Sequence, residues 1–196
     1  MSRRACWLSL LCAMLASAVV ATSAQADFIR LEFWRNGADV TNSHQHIVYR
    51  NSFNRVTTDV WWRAGSGTGS QDGCELNHGW IPQGLGDLWG HYDHYEGSAI
   101  KGRVWYIADR ACIYGTLRTE LFIHSEETSN WGQSCTGGDA PFCWENWTDY
   151  YSNGCIKLSH GSTAPTDVAD LNTRWDSADG RHGAFTAGAM LNVYGP

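Results

Sequence analysis

The chain is short of positive charge: 14 lysines and arginines stand against 20 acidic residues, a formal net charge of −6. Two of the arginines, Arg3 and Arg4, lie in the first few residues. That balance argues against nucleic acid and anionic membrane surfaces as partners. Beyond Val20 no apolar run is long enough to cross a bilayer, so no membrane span is expected in the rest of the chain. Internal repeats, coiled-coil heptads and an interdomain linker are also missing. Zinc signatures are lacking too. His44 and His46 sit at i and i+2, and Asp87, His91, Asp93 and His94 lie close in sequence, but spacing assigns no third ligand to the histidine pair. No metal is expected.

At the N-terminus, Arg3 and Arg4 precede an apolar run from Ala5 to Val20, followed by Ala24-Gln25-Ala26. This is the layout of a cleaved secretory signal over residues 1–26, with Cys12 lacking the small residues that precede a lipidated cysteine. Residues 27–196 then form one secreted domain, expected to be a monomer. Its cysteines, Cys74, Cys112, Cys135, Cys143 and Cys155, are odd in number. In an oxidising compartment one is left as a free thiol or an intermolecular link. The economical pairing joins Cys135 to Cys143 across a short Gly-rich loop and Cys74 to Cys112 across longer segments, which leaves Cys155; other pairings stay open. Tryptophan is abundant, at 11 residues. Some serve as core filler, and a share can line an elongated groove.

Phe28 to Trp34 alternates apolar and charged positions, apart from its last residue, as a half-buried strand does. Asn36-Gly37 follows as a turn. Further strands are predicted at His46–Tyr49, Val56–Arg63, Leu88–Tyr92, Arg103–Ala108, Cys112–Tyr114 and Glu120–His124. Punctuation such as Gly65 to Ser70 and Glu96-Gly97-Ser98 separates them. One stretch has a helical period: after Pro165, Val168, Leu171 and Trp175 share a face, with Asp167 in the first turn and Gly180 beyond the end. Ala189–Tyr194 returns as a strand. The fold class expected is mainly β, an antiparallel sandwich or barrel-like sheet with one short helix. Segment 127–148 reads as a long loop stapled by a disulfide.

The stretch Ser152-Asn153-Gly154-Cys155-Ile156-Lys157-Leu158 presents a thiol at the mouth of a strand. Gly154 allows close approach of backbone to substrate, and Ile156 and Leu158 point to the core. A thiol attacks as thiolate, so it needs an imidazole within reach and a group to orient that ring. Among His44, His46, His78, His91, His94, His124, His160 and His182, the best placed is His124, which ends the run Glu120-Leu121-Phe122-Ile123; His160 is a rival five positions past the cysteine.

Phe122-Ile123-His124-Ser125 followed by Ser152 to Leu158 resembles the active site of the L,D-transpeptidases, the YkuD-type domain that acts on bacterial peptidoglycan. Pro82-Gln83-Gly84 resembles a Pro-x-Gly common in that family, and the resemblance covers roughly residues 55–196. Asn153 stands where many members have histidine, Lys157 stands where arginine is usual, and His124 and Cys155 are further apart than usual. The resemblance implies an L,D-transpeptidase-like β-sandwich or barrel sheet with its helix after the cysteine. It implies catalytic roles for Cys155 as nucleophile, His124 as base, the Ser125 carbonyl as orienter of the imidazole, and the Gly154 and Cys155 amides as oxyanion donors. Asn153 and Lys157 would contact substrate, a peptidoglycan stem peptide. No cofactor is needed. A wall or periplasmic location follows. Transfer of the thioacyl group to an amine gives a cross-link, and transfer to water gives carboxypeptidase activity. A secreted peptidoglycan-cleaving toxin with the same site is another reading. A non-enzymatic glycan- or peptide-binding module, with Cys155 in a disulfide, is a third.

Overall fold

The computed structural model of the chain describes residues 28–50, 55–132, 150–160, 166–182 and 189–195. Strand β1 (Phe28–Trp34) shows why the sheet closes. Ile29, Leu31 and Phe33 are buried on one side, while Arg30, Glu32 and Trp34 take the other, the period-2 separation of a pleated strand. The turn that follows is held by Asn36, whose side-chain oxygen accepts the Ala38 N–H at 3.0 Å. It returns the chain as β2 (Ser43–Arg50), antiparallel to β1 with Leu31 opposite Ile47. Strands β3 (Val56–Ser66), β4 (Gly84–Glu96) and β5 (Lys101–Ile107) continue the antiparallel pattern. A small hairpin, β6 (Arg110–Ala111) and β7 (Leu117–Arg118), precedes β8 (Leu121–His124) and β9 (Ile156–Leu158). Helix α1 (Asp167–His182) and β10 (Met190–Tyr194) complete the described chain.

The eight longer strands form a closed barrel in the order β1-β10-β4-β5-β8-β9-β3-β2. Closure leaves no strand edge open to further pairing. Two of its seams are parallel, β1 with β10 and β8 with β9. The fold is thus mainly β, as the alternating stretches predict. The interior is filled by Leu31, Phe33, Ile47, Trp62, Trp105, Ile123, Ile156, Leu158 and Leu191, together with Val168, Leu171 and Trp175 from α1. The helix therefore buries its apolar stripe in the barrel core. Its polar side is tied down as well. Thr166 Oγ1 accepts the Ala169 N–H at 3.2 Å as an N-cap, and Trp62 Nε1 donates to Asp170 Oδ2 at 3.0 Å. His91 bonds Asn172 Oδ1 at 2.6 Å and stacks on Trp105 at 4.8 Å.

Three expectations change. Cys112–Tyr114 is not a strand but the turn joining β6 to β7, with Ile113 and Tyr114 each 81% exposed. Gly115, at φ +87°, closes that turn through a bond from its N–H to the Cys112 carbonyl at 2.9 Å. Gly65 and Ser66 belong to β3 rather than to a turn, because Tyr150 packs on Gly65 so closely that a Cβ there would lie 2.4 Å from the Tyr150 carbonyl oxygen. Helix α1 runs through Gly180 to His182 instead of stopping before the glycine. Cys74 and Cys112 form a disulfide, which is compatible with an extracytoplasmic location. Cys135 and Cys143, with most of the long loop that carries them, lie outside the described residues.

Candidate active site

Strands β8 and β9 run side by side and parallel, with Ile123 opposite Ile156 and His124 opposite Lys157. Ile123 and Ile156 point into the core, so the residues flanking them turn outwards: Phe122 and His124 on β8, Lys157 on β9 and Cys155 just before it. This places the thiol beside Phe122 and one pleat below His124 on a shared outer face, with Cα atoms about 8 Å apart by strand geometry. Both groups are shielded from solvent, Cys155 at 6% exposure and His124 at 8%. Among the described residues Cys155 is the free cysteine.

His124 Nδ1 lies 3.0 Å from the Ser125 carbonyl oxygen. A carbonyl only accepts, so Nδ1 carries the proton and Nε2 keeps its lone pair. Burial, with the Lys157 ammonium beside it, pushes the imidazole down to about 4 against the pull of that hydrogen bond. The ring is neutral at physiological pH and available as a base. Burial pushes the Cys155 thiol up to about 11, opposed by the Phe122 N–H and the Arg118 charge and reinforced by Glu120. The Sγ–H donates to the Glu120 carbonyl at 3.8 Å. Thiol and imidazole are therefore both neutral at physiological pH, the thiol donating to the Glu120 carbonyl rather than to the imidazole. The Ser125 hydroxyl is buried and has no partner among the described residues. Ser125→Ala is accordingly expected to leave single-turnover acylation within about threefold of wild type, the carbonyl contact being unchanged; a loss as complete as that of Cys155→Ala would assign the hydroxyl a role.

The loop before β9 is pinned carbonyl by carbonyl. Arg118 Nη2 donates to Asn153 O at 3.2 Å, Ser66 Oγ to Gly154 O at 3.4 Å, and Ser152 Oγ to Cys155 O at 2.5 Å. The Ser152 N–H in turn bonds Gly67 O at 3.1 Å. Arg118 Nη1 also spans Gly73 O at 2.8 Å and Trp80 O at 3.3 Å, so one buried guanidinium holds three segments together. Its pKa is lowered by burial, against the pull of Cys155 and Asp72. Sequence reasoning missed Arg118, since no local pattern marks an arginine whose partners are backbone carbonyls remote in sequence.

Asn153 is exposed at the rim. Lys157 pairs with Glu126 through its ammonium, and its side chain is 9% exposed. His160 sits at 3.6 Å from the buried Glu127, which also takes Arg103 at 2.5 Å. On the Phe122 side of the thiol a cavity of about 320 Å³ opens, lined by Tyr92, Tyr95, Ile100, Tyr106, Glu120 and Phe122. Val104, Phe122 and Cys155 form one apolar cluster with Tyr95 and Tyr106 packed against it, so Phe122 stands between this cavity and the thiol.

No family model, curated protein or solved structure matches this chain. The chemistry therefore rests on the geometry and on the resemblance of two short motifs. As for the histidines considered for a metal, His46 is paired with Asp59 and Glu32 and stacked on Trp61 at 3.7 Å, and His94 bonds Ser129 O at 2.7 Å.

Proposed function

We propose that this protein is a secreted cysteine acyltransferase of the L,D-transpeptidase kind, acting on peptidoglycan stem peptides through a thioacyl-enzyme. The observation that carries the reading is the placement of two buried groups at adjacent parallel strands, Cys155 immediately before β9 and His124 at the end of β8, with the imidazole fixed by the Ser125 carbonyl so that Nε2 is the free nitrogen. In this scheme a stem peptide enters past Phe122, which both lines the tyrosine-rich cavity and packs on the thiol, and presents its carbonyl carbon to Sγ. The S–H proton passes to Nε2 as the C–S bond forms, and charge on the carbonyl oxygen is met by the Gly154 and Cys155 amides. The tetrahedral species then collapses, the C–N bond to the terminal residue breaks, and the imidazolium returns the proton to the departing amine. An incoming amine reverses the same steps and leaves a new amide bond. Asn153 contacts the substrate at the rim in this scheme, whereas the buried Lys157 is engaged by Glu126.

The test is intact mass after incubating the folded mature protein with a carbapenem, whose strained amide carbonyl acylates such a thiol. The expected result is one adduct in wild type and none in Cys155→Ala. An unmodified wild-type protein, together with no titratable thiol in the folded state, would overturn the reading in favour of a non-enzymatic module.

A further inference from the structure

The outer face of β1, β10, β2 and β3 carries a second feature that the acyl-transfer chemistry does not use. Trp34 on β1 is 42% exposed and Trp61 on β3 is 48% exposed. Trp34 stacks on Tyr194 of β10 at 4.2 Å and lies 6.3 Å from Trp61, which stacks on His46 and meets His44 edge-on at 6.0 Å. Exposed tryptophans on strands that flank β2 on either side cost solubility unless they meet something. These are also held rigidly from beneath. Glu32, 6% exposed, accepts from Trp34 Nε1 at 3.2 Å and from the Tyr194 hydroxyl at 3.4 Å, and pairs with Arg30 at 2.7 Å. A single buried carboxylate thus fixes both members of the stacked pair, with His46 and Asp59 bracing Trp61 from the other side.

We infer that this platform binds a glycan strand, an uncharged pyranose polymer. The C–H groups on one face of a pyranose carry partial positive charge and lie well against the negative face of an aromatic ring. Trp61 and the Trp34–Tyr194 pair offer two such faces, with the Asp59 carboxylate, the His44 imidazole and Arg30 beside them to bond hydroxyl groups. The patch is too small for a second copy of the chain. Two half-exposed tryptophans supply on the order of 200 Å², whereas a stable interface needs about 800 Å² from each partner. The strand that carries Trp61 also leads towards the thiol site. Along the outer face of β3, Trp61 is followed by Arg63, stacked on Tyr150 at 4.1 Å, and then by Gly65, which pairs with Lys157 on β9. Trp61 to Gly65 spans about 13 Å. A sugar on the platform would hold an attached peptide near Cys155; that last step rests on the proposed acyl transfer, but sugar binding does not.

The experiment is calorimetric titration of the mature protein with soluble oligomers of N-acetylglucosamine. Trp61→Ala and, on a different strand, Trp34→Ala are each expected to weaken binding by about tenfold, the size of one lost stacking contact. Trp89→Ala, an equally exposed tryptophan on β4, and Cys155→Ala are expected to bind as wild type. Absence of wild-type binding at millimolar sugar would overturn the inference. So would equal binding by both platform variants, or a dimer that Trp61→Ala dissociates. Because Cys155→Ala is titrated without turnover, failure of the acyltransferase reading leaves this result intact.

Discussion

Gly154→Ala is expected to abolish acylation while leaving most of the barrel folded. Gly154 sits at φ +101°, where an L side chain is strained by on the order of 1–3 kcal/mol. The larger obstacle is steric. A Cβ there would lie 2.0 Å from Arg118 Nη2 and 3.3 Å from Gly79 O. The end of an arginine usually gives way, but this one is tied to Gly73, Trp80 and Asn153 carbonyls at once. Either the guanidinium leaves three carbonyls, of which that of Trp80 is buried and costs about 1–3 kcal/mol when unsatisfied, or the backbone of 153–155 moves. In both cases the thiol and its neighbouring amides shift from where a developing oxyanion would sit, which costs on the order of 10²–10³ in rate. Adduct formation by intact mass, beside urea unfolding monitored by far-ultraviolet dichroism, separates the two effects. Near wild-type acylation would show that the glycine and its arginine do not position the nucleophile.

That arginine marks the boundary between what the sequence discloses and what it hides. The half-buried strands β1 and β3 are legible because their side chains alternate over a core, the fully buried β8 because it is an apolar run, and the 3.6-residue period of Val168, Leu171 and Trp175 because one face of the helix is buried. Cys155 and His124 stand out because short motifs bracket them. Their juxtaposition does not. It depends on β8 and β9, four and three residues long, forming a parallel seam across a long excursion of chain, and no local signal encodes such a pairing. Arg118, the Glu32 cluster beneath Trp34 and Tyr194, and Glu127 between Arg103 and His160 are hidden for a related reason. Each is a charged side chain buried with the help of partners remote in sequence, Tyr194 and His46 in the case of Glu32, where local patterning predicts a solvated one. The misread Cys112–Tyr114 is the converse: β-prone residues placed on a turn by a disulfide and a glycine.

Acid should weaken the protein in a way that His124→Gln cancels. The buried imidazole takes its proton near 4 in the folded chain, against an ordinary value of 6.5. Between those values the unfolded chain binds the extra proton, so stability is full above 6.5 and falls as pH drops to 4. At 1.36 kcal/mol per pH unit the wild type loses about 3 kcal/mol across that window through this one group. That is a fall in Tm on the order of 10 °C for a domain of this size. Glutamine at 124 does not titrate, so thermal melts of the variant should be flatter between pH 6.5 and 4 by that amount, whatever the carboxylates add to both. At the alkaline end Cys155 acts in the opposite sense. Its folded pKa of about 11 lies above the ordinary 9.0, so stability is lost as pH rises from 9 towards 11, and Cys155→Ala removes that limb. In the proposed acyl transfer the same two groups would bound the activity. The base fails only as pH approaches 4, so wild-type acylation should stay level down through pH 6 rather than fall there as a free imidazole would make it do. Parallel melting of wild type and His124→Gln over the whole acid range, with an activity midpoint near 6.5, would place the imidazole in water and refute the buried neutral pair.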